Sequence, residues 1–250
     1  LRIDEDLIVE ATVVKDSANE AANAQAKAQG SAAPQPVQTT PWGIARVKAP
    51  EAWTASEGTG VNVCVIDTGI DLTHPDLKDN IKGGINTINP SKSANDDNGH
   101  GTHVAGTIGA VNNTIGVVGV GPKVNLLAVK VLCRTGSGWL SDIIEGLQWC
   151  AQNNGKVANL SLGSSSDNQS FHDAIIAAVA AGVTVVAAAG NSGPCTNCVI
   201  YPARYPETIA VSASDSTDQM AVFSSIGPEV DLIAPGKSVP STYKGGGYAT

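Results

Sequence analysis

Residues 61–67 read VNVCVID, a short, largely apolar run that ends on a carboxylate. Its length and β-branched content fit a strand buried on both faces. Similar runs lie at 124–132, 157–162, 183–189 and 208–212. Between them, residues 139–153 carry apolar side chains at helical spacing, and 171–181 are apolar and Ala-rich ahead of the helix-ending Gly182. Strands alternating with helices predict βαβ units, hence an α/β fold with a doubly wound, mostly parallel sheet flanked by helices on both faces. Such sheets bind ligands at the carboxyl ends of their strands.

The 250 residues suffice for one large domain with its own core. A hydrophobic fraction of 42% with 27 glycines and 15% charged residues describes a tightly turned globule, not a disordered or fibrous chain. The net charge of −8 favours solubility and argues against a polyanionic partner, so no nucleic acid is expected. No apolar run approaches the roughly 20 residues that span a bilayer, so no membrane partner is expected either. The opening LRIDEDLIVEA is not a signal peptide and does not begin with Met, which predicts an upstream piece.

Residues 1–36 stand apart. An acidic, strand-like opening is followed by KDSANEAANAQAKAQGSAAPQP, rich in Ala, Asn, Gln and Ser, which reads as a linker or processing region ahead of the domain at 37–250. The five cysteines, Cys64, Cys133, Cys150, Cys195 and Cys198, are too few for a disulfide scaffold and too scattered for a zinc site. Cys64, inside an apolar strand, is expected to be a buried free thiol. Cys195 and Cys198 could close a small loop, a choice their spacing leaves open.

Three segments place polar side chains past an apolar strand or at a helix start: VIDTGID ending at Asp71, NGHGTHVAGT over 98–107, and VVAAAGNSG over 185–193. Asp67, at a buried strand end, needs a hydrogen-bonding partner, and an imidazole would make that carboxylate chemically useful. His100 is the candidate. It precedes a helix of small residues, 101–110, that allows close backbone approach.

Taken together and in this order, DTG, HGTHVAG and AAAGN resemble the subtilisin family of serine proteases, the subtilases, from about Gln38 onward. The resemblance implies that Asp67 orients the imidazole, that His100 acts as general base and then general acid, and that His103 is a packing residue. Asn191 matches the side-chain donor of the oxyanion hole. Gly136, Ser137 and Gly138 on one side, and Ser161, Leu162 and Gly163 on the other, match the edges that hold an extended polypeptide substrate. Ala188, Ala189 and Gly190 would floor the primary pocket; being small, they predict a bias toward large apolar and aromatic residues. The loop VNNTIGV resembles a calcium loop, with Gln38, Asp76 and Asn113 giving side-chain oxygens and Val111, Ile115 and Val117 carbonyls. The opening strand resembles the end of a propeptide, expected to act as the enzyme's own inhibitor and chaperone and to be cut within 11–37. A secreted, monomeric endopeptidase is implied.

One departure stands out. The family carries its nucleophilic serine in a GTSMA-like motif, which these 250 residues do not contain. The serine is expected shortly after Thr250. The competing hypothesis is a non-catalytic, peptide-binding relative, against which stand the intact Asp67, His100 and Asn191.

Overall fold

The computed structural model describes residues 4–13 and 34–250; most of the processing junction expected at 11–36 lies outside the described residues. Seven parallel strands form the central sheet in the order β10-β9-β8-β6-β2-β4-β3. They are β2 (Asn62–Asp67), β3 (Ile81–Asn86), β4 (Asn125–Lys130), β6 (Val157–Leu160), β8 (Thr184–Ala188), β9 (Ile209–Ser214) and β10 (Leu232–Pro235). From β2 the chain runs to the edge strand β3, returns to β4 beside β2, then crosses to β6 and runs outward through β8, β9 and β10. The switch of winding thus falls beside Asp67, where open sheets of this kind leave a crevice.

Alternation along the strands divides the core in two. Cys64 and Ile66 of β2, with Leu127 and Val129 of β4, face a cluster that also takes up helices α4 (Leu140–Gln152) and α5 (Gln169–Ala180). Val63, Val65, Leu126 and Ala128 face the opposite cluster, against α3 (His100–Gly109). The strands are apolar on both sides because both sheet faces are covered, as the sequence predicts. Two short helices, α1 (Trp42–Arg46) and α2 (Ala49–Ala52), precede β2. The hairpin of β11 (Ser241–Tyr243) and β12 (Gly247–Ala249) packs on α3.

Two edge strands are missing from the sequence reading. β3 carries exposed glycines and no apolar run, whereas β10 is apolar (LIAP) but only four residues long and ends on Pro, so neither stands out as a buried strand. A second correction concerns Cys64. It is not a free thiol: it is bonded to Cys150 of α4, which packs on the same face of the sheet, and Gly155 leaves the room both sulfurs need. That bond closes an 86-residue loop, worth about 4–5 kcal/mol on the chain-entropy argument. Cys195 and Cys198 are also joined, and Cys133 is the free cysteine. No helix among the described residues is long and apolar enough to cross a membrane.

Candidate active site

Asp67 ends β2 with its side chain fully buried. A carboxylate withdrawn from water needs hydrogen bonds to remain charged. It accepts one from the Thr68 N–H at 2.6 Å, and Nδ1 of His100 lies 2.8 and 2.9 Å from its two oxygens. His100 is the first residue of α3, which can start this close to β2 because a Cβ on Gly101 would run into the Gly69 carbonyl.

Two further residues fix this geometry. The Thr68 hydroxyl accepts from the Gly101 N–H at 2.9 Å and donates to Asp96 at 2.9 Å. Asp96, itself buried, accepts from the N–H groups of Asn98 and Gly99 and from both the N–H and the hydroxyl of Thr102. The first turn of α3 is thus fastened to the end of β2 through one hydroxyl and one carboxylate. The sequence reading missed both. Their one signal is local: a run of Asp and Asn just ahead of a helix tends to bond nearby backbone N–H groups.

Burial alone would depress the pKa of His100, but the Asp67 charge and hydrogen bond outweigh it. Asp96 and a backbone hydrogen bond to Thr12 add to the effect, and the ring titrates above its ordinary range. With one proton held at Nδ1 by the carboxylate, Nε2 of the neutral ring carries the lone pair. His103, one turn further along α3, behaves differently. Burial, with the nearby His100 charge, pushes it down to about 4, and its Nε2 is buried without a hydrogen-bond partner among the described residues.

The two expected substrate edges flank one extended strand, β1 (Ile8–Ala11). β1 pairs antiparallel with β5 (Ser137–Trp139), Val9 opposite Gly138 and Glu10 opposite Ser137. It also pairs with β7 (Leu162–Gly163), Glu10 opposite Gly163 and Ala11 opposite Leu162. At the end of the strand the Ala11 N–H donates to the Gly136 carbonyl at 2.8 Å, and just beyond it the Thr12 N–H donates to the Ser161 carbonyl at 2.9 Å. Thr12 then borders a cavity of about 560 Å³, whose wall also includes His100, Ser161 and Thr250.

Asn191 follows Ala188, Ala189 and Gly190 at the carboxyl end of β8. It makes no hydrogen bond to Asp67 or His100, because β6 stands between β2 and β8. Two interstrand spacings, roughly 10 Å, separate those strand ends. The carboxyl end of β6 thus lies between the strand ends that carry Asp67 and Asn191.

The Subtilase family profile (Peptidase_S8) matches residues 58–250. The chain belongs to the subtilase family. This is a family of serine endopeptidases, and its members share the parallel sheet with flanking helices described above. Among the relatives, Subtilisin Savinase of Lederbergia lenta is 51% identical over 214 residues, covering 85% of this chain and 78% of the relative. An alkaline protease of Shouchella clausii is also 51% identical, over 85% of this chain but 55% of the relative. Alkaline elastase YaB of Bacillus sp. (strain YaB) is 50% identical over 86% of this chain and 56% of its own length.

At the loop 111–117, oxygen atoms gather around the side-chain nitrogen of Gln38, where the resemblance expects its oxygen as a ligand. The Gln38 side-chain nitrogen lies 2.9 Å from the Val111 carbonyl, 3.2 Å from Asn113 Oδ1 and 3.2 Å from the Val117 carbonyl, with the Ile115 carbonyl at 3.5 Å. Four oxygens converging on one positively polarised group are the donor set a hard cation takes. Asp76 adjoins them, accepting from the Asn113 amide and the Val117 N–H. Burial raises its pKa to about 6, only partly offset by those hydrogen bonds. Among the described residues no group of three or more His, Cys, Asp or Glu could hold a metal, so any ion here would rest on carbonyl and amide oxygens with a single carboxylate.

One residue beyond the expected floor of the primary pocket also borders it. Ile200 lies between its walls: a Cβ on Gly163 would come within 2.5 Å of Ile200 Cδ1, and one on Gly190 within 3.2 Å of Ile200 Cγ1. The expectation of a roomy floor takes account of Ala188, Ala189 and Gly190 alone. Nothing in the spacing of the sequence indicates that residue 200, past the Cys195–Cys198 loop, returns to this place.

Proposed function

We propose that this subtilase cleaves polypeptides through an acyl-enzyme. Asp67 holds the ring and stabilises its cation, and His100 takes the nucleophile's proton and passes it to the leaving amine. Asn191 donates to the oxygen that gains charge in the tetrahedral intermediate. The observation that carries this reading is the contact of His100 Nδ1 with both oxygens of Asp67, beside a cleft in which an extended strand is hydrogen-bonded on both edges. The nucleophilic serine is read as following Thr250, which shares a cavity wall with His100.

Substrates are read as extended chains recognised mostly through their backbones, which makes few demands on sequence. Strand β1 is read as the tail of the subtilase's own propeptide, which inhibits by filling that cleft. The domain boundary near residue 36, secretion, a calcium ion at the Gln38–Asp76 loop and a monomeric state belong to the same reading. The sequence-based bias toward large apolar residues before the scissile bond does not, because it leaves out Ile200.

The test compares two histidines in the natural full-length enzyme. His100→Ala should lower kcat by several orders of magnitude, whereas His103→Ala should act mainly on stability, since one ring alone contacts Asp67. An exchange of these effects would overturn the assignment.

A further inference from the structure

Resting on the endopeptidase reading, we infer that Ile200 sets the specificity of this subtilase by filling its primary pocket, so that the residue before the scissile bond must be small: Ala, Ser, Thr or Val.

The position of Ile200 is held from both sides. Its N–H donates to the Ala189 carbonyl at 3.0 Å, tying it to the wall that ends in Gly190. The next residue, Tyr201, exchanges two backbone hydrogen bonds with Ser164, at 2.9 and 3.0 Å, tying the segment to the wall that ends in Gly163. Both walls are glycine where Ile200 touches them, and both glycines are buried. The side chain therefore occupies the space that two absent Cβ atoms leave open. A β-branched side chain has few rotamers and does not easily swing out of such a slot. An aromatic ring entering between Gly163 and Gly190 would have to displace it, and forcing bulk into a packed site is disfavoured.

Strand β1 gives an independent indication. Its hydrogen bonds run in register to Thr12, whose N–H meets the Ser161 carbonyl and which lines one cavity with His100. The next residue, Val13, borders the same cavity. The residue this chain presents at the reacting position is thus a small, β-branched one.

The experiment measures kcat/KM of the natural full-length enzyme, after activation, on tetrapeptide anilides that differ only in the residue before the cleaved bond. Ala or Thr should be preferred over Phe by at least about 10-fold, since even one methylene in a fitted pocket is worth roughly 10–200-fold. Ile200→Gly should raise the Phe value at least about 10-fold and reverse the order, and Ile200→Ala should move it the same way if the glycine variant folds poorly. A wild type that prefers Phe, or a Phe-to-Ala ratio untouched by either variant, overturns the inference and leaves the endopeptidase reading standing. Absence of hydrolysis on every peptide overturns both.

Discussion

His100 Nδ1 sits 2.8 Å from Asp67 Oδ1 and 2.9 Å from Oδ2, so one buried carboxylate shares the ring proton between its two oxygens. The charge that orients the ring also favours its protonated form. Acylation needs the neutral ring, so the acid limb of kcat/KM should lie above the ordinary His value of about 6.5. Asp67→Asn should move that limb down and reduce kcat by about 10⁴-fold, the scale known for this change in Asp-His-Ser enzymes. The pH profile of wild type and variant checks both. For stability, a pKa raised above that of the unfolded chain contributes fully below about pH 6.5 and fades as pH rises through the folded value.

Asn191→Leu should lower kcat by about 10²–10³ with little change in KM, the magnitude known for this donor in subtilisin itself. The donor strengthens its bond only as the carbonyl oxygen gains charge, so it acts on the transition state more than on substrate binding. Steady-state kinetics separate the two: a raised KM with unchanged kcat would show that Asn191 positions substrate instead.

The oxygen cluster around Gln38 carries a prediction of its own. If calcium binds there, chelation should lower Tm and speed autolysis, because an ion bound only by the folded state stabilises it by mass action. It should also loosen residues 37–39, whose backbone is bonded to the loop at Thr114 and Gly116. Asp76→Asn should reproduce part of the shift. A thermal scan indifferent to chelator contradicts the site.

Much of this was legible in the sequence because the strands are covered on both faces and so read as apolar runs. The end of β2 marked Asp67, and HGTH marked the start of α3. What escaped depends on contacts between distant segments. Ile200 reaches the pocket through its own bond to Ala189 and the pairing of Tyr201 with Ser164. Cys64 and Cys150 look unrelated until α4 packs over β2. Thr68 and Asp96, 28 residues apart, work together because a strand end and a helix start meet. Edge strand β3 has glycines where an apolar run would be, and β10, LIAP, is too short a run to stand out.

The central claim is that His100, held by Asp67, activates a serine. Labelling of the natural full-length chain with a fluorophosphonate, followed by peptide mapping, tests it most directly, because the probe reacts only with a hydroxyl whose proton a neighbouring base removes. The wild type should take up one label, on a serine following Thr250, and His100→Ala should take up almost none. Equal labelling of both proteins, or a label mapped to Ser161, Ser164, Ser192 or Ser224, would contradict the account.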